Sequence, residues 1–414
     1  IVDFGGHQRD LLRYLAGITQ FLTHMSLSWS AFFATAGIES LTAGTGLMVF
    51  ELVLRTTRRK ALALVAVALY LACGYVGGWF VIAKSFAPTV FLLSAGVLLL
   101  ETAETPRRAA LAGLALGLAV ECRLYVIVVL PCAVLFLLRR YGFSRRGLRF
   151  LLALAGGCLA ATLVLLPYIV RDWHSFYFDN WTFHSIREFQ QTGFFTNLEN
   201  KRQVLRTMLA LDPGRLPGNV QFAGLAMVAL LALLLPKTRH NRLTSYVWLA
   251  LFAVSLVPSP TDPQYFCLLI PFMIVEASHA CTVKRVPWWL LWPVLAVLVA
   301  GYTVQGVRDL ERYRVTGLAV PGVWSPDRVP RWSIPTVVEA GKIIDAAKQR
   351  EGASWWPGYF VATRTPLTLV LANDFGFRAA TRLTIAERER VRIAALDDMI
   401  DTMNRKNPPL FVEG

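Results

Sequence analysis

Ionisable side chains gather in one stretch, Pro167 to Gln191, PYIVRDWHSFYFDNWTFHSIREFQQ. Arg171, Asp172, His174, Asp179, His184, Arg187 and Glu188 stand there among aromatic residues, directly after a long apolar run. Asp172 and Asp179 are candidates for general-base work or for a metal, His174 and His184 for proton transfer, and Arg171 and Arg187 for a phosphate. The alternative is an interfacial belt, because Trp and Tyr favour headgroup depth and charges favour the water beyond. No spacing in the stretch specifies a zinc site, and two aspartates seven apart specify nothing alone. A crowd of ionisable groups at the rim of an apolar segment nonetheless marks an aqueous site at a bilayer edge.

Two isolated cations point to the same chemistry. Lys84 ends a full apolar run in GGWFVIAKSFAP, and Arg123 sits in a break between apolar halves at Glu121-Cys122-Arg123. A charge at such depth must snorkel or find a partner, and a lipid phosphate is one such partner. Arg offers a fixed fork for phosphate oxygens and Lys a compact charge. Snorkelling for Lys84, and a pair with Glu121 for Arg123, are the structural alternatives. A third polar point is the turn VPSPTDPQYF, where prolines stiffen the chain around Asp262, Gln264 and Tyr265. The bland reading there is a tight connection with an aromatic anchor.

The chain that must position these groups is mostly hydrocarbon. Its 414 residues are 55% hydrophobic and only 17% charged, which is no soluble composition. The formal charge of +15 does not imply nucleic acid, because the basic residues fall in short clusters between apolar runs. The six cysteines lie in or beside those runs without ligand spacing, and read as buried apolar side chains. The sequence carries no dinucleotide, P-loop or GxSxG motif.

Residues 11–25 place Leu11, Leu15, Ile18, Leu22 and Met25 on one stripe, which predicts a surface-lying amphipathic helix. Spanning-length apolar runs follow near 28–54, 61–83, 86–102, 150–170, 219–236, 243–258, 264–283 and 287–307. Residues 109–138 read as a hairpin or a broken span. Basic clusters at 55–60, 106–108, 139–149, 237–242 and 284–285 alternate with connections of which only the long 171–218 loop carries several cations, and long loops obey the positive-inside rule weakly. Those clusters are predicted to be cytoplasmic. Lys84, Arg123, the 171–218 loop, the 259–263 turn and everything after 308 then share the outer face.

The domain expectation is therefore 1–27 as the end of a first external loop with its surface helix, 28–307 as a transmembrane helical bundle, and 308–414 as a linker with a small domain. That last part predicts a small α/β C-terminal extracytoplasmic domain. A helix over 336–350 has Val337, Ala340, Ile344 and Ala347 on one face, GYFVAT (358–363) is a strand candidate, 384–405 a charged helix, and PPLFVEG a final strand.

Several passages together resemble the GT-C superfamily of membrane glycosyltransferases, in its bacterial protein O-mannosyltransferase-like and aminoarabinose-transferase-like branch. They are VDFGGHQRDLLRYLAGITQFL, AKSFAPTVFLLSAGVLLLETAE, GLALGLAVECRLYVIVVLPCAVLFLL and PQYFCLLIPF. The resemblance implies a polytopic α-helical membrane protein of the bacterial inner membrane that uses a polyprenyl-phosphate sugar donor. The acceptor it implies is a glycan, lipid or protein hydroxyl or amine, with no nucleic acid as partner. It implies that Lys84 and Arg123 hold the donor phosphate and that His184 and Arg187 line the cavity. The family's acidic base lies in the first external loop, before the part matched by VDFGG. That base is expected upstream of Ile1, leaving Asp3 and Asp10 as weak candidates beside Asp172 and Asp179. No protein metal site is expected, although a divalent ion is compatible with the class. The rival readings are a transporter or flippase for a lipid-linked or anionic substrate, and an inactive binding subunit.

Overall fold

In the computed structural model of the chain, residues 27–80, 85–186, 197–209, 211, 218–235, 242–258, 261–281, 300–301, 304, 334–348, 350–354, 363–366, 379–391, 393–404 and 409–412 are described. The surface helix expected over 11–25, with Asp3 and Asp10, lies outside them, as do Lys84, Arg187 and nearly all of the run 287–307.

Helix α1 (Leu27–Thr57) is followed by α2 (Lys60–Leu71) and a short α3 (Gly74–Trp79). The run expected as one span over 61–83 is thus broken at Ala72–Cys73, where Cys73 turns extended ahead of a Gly-rich segment. Next come α4 (Phe86–Glu101) and α5 (Pro106–Cys122). Pro106 opens α5, and the Thr105 side chain accepts from the Arg108 N–H. A 3-10 turn, Leu124–Val128, leads into α6 (Val129–Tyr141). Helix α7 (Arg145–Thr162) ends in successive turn bonds over 163–166, and α8 (Leu166–Arg171) restarts with Pro167 in its first turn. The segment after α8 holds α9 (Trp173–Tyr177), a π-helical turn (Phe178–Thr182), α10 (Phe183–Ile186) and α11 (Leu198–Met208). The bundle resumes with α12 (Gly218–Leu233), α13 (Arg242–Ser255), a 3-10 segment (Pro263–Leu269) and α14 (Ile270–Ala280).

Among the described residues one continuous helical stretch, Leu124–Tyr141, is long and apolar enough to cross a membrane. The apolar helices Lys60–Leu71, Phe86–Glu101, Val220–Leu233 and Leu243–Ser255 are shorter than the ~20 residues a full span needs. The outer surface carries leucines in the open, among them Leu64, Leu71, Leu148, Leu152, Leu159 and Leu163, the finish of a bundle that meets hydrocarbon. Within, α1 packs on α2, α4 and α14, and α5 lies against α4 and α7. The α5–α7 approach is very close: a Cβ on Gly113 or Gly157 would land on the backbone of the other helix, at the carbonyl oxygens of Leu154 and Ala110.

One end of the bundle is basic. Arg140 of α6 donates to the carbonyls of Leu100 (3.3 Å) and Glu101 (2.7 Å), Arg108 donates to Thr102 O at 3.1 Å, and the Tyr141 hydroxyl to Ala103 O at 2.7 Å. These cations satisfy carbonyls left over at the end of α4. Two buried carboxylates sit at the same level on consecutive hydroxyls of α13. Thr244 Oγ1 donates to Glu101 Oε1 at 3.2 Å, and Ser245 Oγ to Glu276 Oε2 at 2.7 Å. At the other end α3 is tied to α12 by the Gly74 N–H, which donates to Gln221 Oε1 at 3.1 Å.

The C-terminal part corrects the expected fold class. Among the described residues there is no small α/β domain. Strand is confined to β1 (Gly352–Ser354) and β2 (Leu410–Val412), a single parallel pair of three residues each. The candidate strand 358–363 lies outside the described residues except for Thr363. The rest is helix: α15 (Ile334–Ala346), α16 (Ile385–Val391) and α17 (Leu396–Met403), so the helix expected over 384–405 is two pieces. The physical reason is where the apolar side chains go. Ala379, Leu383, Val391 and Ile393 pack on Phe178, Phe183 and Ile186 instead of covering a sheet.

Candidate functional site

Helix α5 stops because Arg123 leaves helical backbone, at φ −153° and ψ 104°. Its N–H still bonds to Ala119 O (3.0 Å), and its carbonyl accepts from the Val126 N–H (3.1 Å), so both backbone groups of Arg123 are satisfied. The side chain turns inward, with its guanidinium over the Phe86 ring. Phe86 in turn meets Trp79, with ring centres 5.7 Å apart. The alternative pair with Glu121 is not made, and Arg123 enters no ion pair among the described residues.

Two polar atoms at this break are buried without a hydrogen-bond partner: Arg123 Nε and the Tyr125 hydroxyl. Buried polar atoms in that state cost about 1–3 kcal/mol each, which a ligand oxygen would recover. The Tyr125 ring meets Tyr265 edge-on, with centres 5.8 Å apart. Tyr265 therefore joins the group by contact, and the backbone near it brings Gln264 and Asp262, whose side chains bond to each other (Nε2 to Oδ2, 3.2 Å). Lys84 lies outside the described residues, but its neighbours Ser85 and Phe86 are buried at this corner.

The turn before Tyr265 is fixed by a residue that the sequence analysis did not single out. Lys201 of α11 is 5% exposed, and its ammonium donates to Pro258 O (2.8 Å), Thr261 Oγ1 (3.2 Å) and Val257 O (3.5 Å). Desolvation pushes its pKa below the ordinary lysine value. Asn200 accepts from the Thr261 N–H at 2.7 Å. A signal was available, because Lys201, Val204 and Met208 form the buried stripe of α11 and put a cation at an apolar position.

The loop candidates have other duties. Asp172 caps α9: Oδ1 accepts from the N–H groups of His174 and Ser175, each at 3.1 Å, and Oδ2 from Ser175 Oγ at 2.6 Å. The Ser175 hydroxyl first, then the backbone N–H groups and the charge of Arg390, hold its carboxyl below the usual range. Arg171 and His174 are exposed, and Asp179 is half-buried in the π-helical turn. His184 lies on α10, with its side chain outside the described atoms. The contacts described for Asp172 and His174 stay within the loop and the C-terminal segment. The structure thus sets Tyr265, with Gln264 and Asp262 just before it in the chain, against the break at Arg123, while Asp172 caps its own helix. Among the described residues no group of three or more His, Cys, Asp and Glu side chains is placed to hold a metal.

This arrangement, broken apolar helices around a half-buried arginine, is a polytopic α-helical membrane fold. The particular fold is that of ArnT. The apo structure of ArnT from Cupriavidus metallidurans matches with a TM-score of 0.56 at 16% identity, over 93% of this chain and 79% of that one. The same protein solved with undecaprenyl phosphate bound matches with a TM-score of 0.54 at 16% identity, over 91% and 78%. At that identity the likeness establishes the fold. No protein-family model matches the chain, and neither does any curated protein sequence.

Proposed function

We propose that the chain is a glycosyltransferase that moves a sugar from a polyprenyl-phosphate donor to an acceptor at the outer face of a bacterial cytoplasmic membrane. The observation that carries this reading is the pair of buried, unsatisfied polar atoms, Arg123 Nε and the Tyr125 hydroxyl, at a helix break in an ArnT fold. A polyprenyl phosphate is too apolar for water and too charged for hydrocarbon, so its reacting carbon must lie at the interface. A fixed guanidinium there stabilises the departing phosphate, and Tyr125 adds a neutral donor to a phosphate oxygen. In this reading Gln264 and Asp262 contact the sugar, and Lys84 supplies a second cation. The ArnT structure with undecaprenyl phosphate supports this donor class. Under this reading the basic end of the bundle faces the cytoplasm.

A carrier for a lipid-linked anion would use the same cations without chemistry. Its usual mark is broken helices in matched inverted halves, and the ArnT fold favours transfer over carriage. The test is Arg123→Ala in the full-length protein. Transfer from a polyprenyl-phosphate sugar should be abolished with expression unchanged, and undiminished turnover would remove Arg123 from the site.

A further inference from the structure

We infer that Lys201 is a positioning residue for the lipid-phosphate corner, acting through the 257–261 turn on Tyr265 and Tyr125. The inference rests on the reading of Arg123 and Tyr125 as the phosphate-binding pair.

Lys201 puts a cation where none is needed for packing. On the buried stripe of α11, next to Val204 and Met208, a Met or Leu would cover the same surface without desolvating a charge. Lys201 instead spends all three donors on one turn, at Val257 O, Pro258 O and Thr261 Oγ1, with no carboxylate in the set. Asn200 adds the Thr261 N–H at 2.7 Å, and Thr261 Oγ1 donates back to Pro258 O at 2.8 Å. Two consecutive residues of an outer-loop helix therefore clasp the turn from one side.

The turn passes this constraint on through two hydrogen bonds to the Tyr265 backbone. The carbonyl of Asp262 accepts from the Tyr265 N–H at 3.1 Å, and Ser255 Oγ donates to the Tyr265 carbonyl at 3.0 Å. The Tyr265 backbone is thus held on both sides. Its ring stands against Tyr125 at 75° between planes, so the position of the turn sets the position of the Tyr125 ring and its hydroxyl. With the turn released, that hydroxyl loses its fixed aim beside Arg123.

The experiment uses the full chain purified in detergent and undecaprenyl phosphate as the probe. Wild type, Lys201→Met, Lys201→Arg and Arg123→Ala are compared for probe affinity and for thermal midpoint. Lys201→Met should weaken binding about tenfold, the scale of a reacting group displaced by a fraction of an ångström. Lys201→Arg, which keeps a charged donor at the same place, should recover most of it. In a transfer assay the loss should appear in the donor KM with kcat largely kept, a split that general destabilisation does not produce. Should Lys201→Met not accumulate, Thr261→Val removes one acceptor and should show a smaller loss of the same kind. Wild-type affinity in Lys201→Met or Thr261→Val, or no recovery in Lys201→Arg, overturns the inference. Failure of wild type itself to bind, with Arg123→Ala indistinguishable from it, overturns the glycosyltransferase reading as well.

Discussion

The guanidinium carbon of Arg123 stands 3.4 Å from the centre of the Phe86 ring. A flat cation on a flat ring is held in one plane, with its edge left to receive an acceptor in that plane. Lysine keeps the charge and loses both the stacking and the fork. Arg123→Lys is therefore expected to lower affinity for undecaprenyl phosphate about tenfold, and Phe86→Leu to lower it by a smaller factor. Equilibrium binding to the full chain measures both, and a lysine variant that binds like wild type would show that only charge matters.

Gly113 and Gly157 let α5 and α7 touch backbone to backbone. Because the obstruction on each side is a carbonyl and not the end of a flexible side chain, the helices themselves must move apart to admit a methyl group. Gly157→Ala should cost about 1–3 kcal/mol, the usual range for overpacking. Thermal unfolding in detergent reads the effect. Gly156→Ala, at a glycine with nothing within 4 Å of the added carbon, is the control and should be close to neutral.

Glu101 is buried, with Thr244 on one oxygen and no hydrogen-bond partner for Oε2. Thr244→Val leaves the carboxyl without that donor, at an expected cost of about 1–3 kcal/mol. Combining it with Glu101→Leu should return much of the loss, since replacing both partners removes the desolvation penalty. A double-mutant cycle on thermal midpoints tests this. Additive effects would mean that the two side chains do not act on each other.

The Asp172 cap has a pH dependence of known sign. Its carboxyl titrates lower in the folded loop than in the unfolded chain. The cap therefore stabilises α9 above the unfolded carboxyl's titration and ceases to do so as pH falls through the folded value. Amide exchange at His174 and Ser175 should rise as the solution is acidified into and below the carboxylate range. In Asp172→Asn that acid response should vanish. An acid response unchanged in Asp172→Asn would place the titrating group elsewhere.

How much of this was legible in the sequence depends on whether a feature is local. The break at Arg123 was readable, because a charge between two apolar halves interrupts hydropathy at that residue. The basic clusters were also readable, and Arg108 and Arg140 meet at one end of the bundle. The break at Ala72–Cys73 was not, since Cys, Gly and Tyr keep the run apolar across it. Lys201 escaped because its meaning comes from carbonyls more than fifty residues away along the chain. The α/β expectation failed for the same kind of reason. The final strand forms at Leu410–Val412 but pairs only with Gly352–Ser354, and the apolar side chains of 379–393 go to Phe178 and Phe183, which no local pattern connects to them.

The small cluster of Phe178, Phe183 and Ala379 joins the segment after α8 to the C-terminal helices. A cut or a deletion near residue 380 would strip the cover from two phenylalanines. The damage would then be felt as greasy surface and aggregation of the whole molecule, not as the clean loss of a detachable appendage.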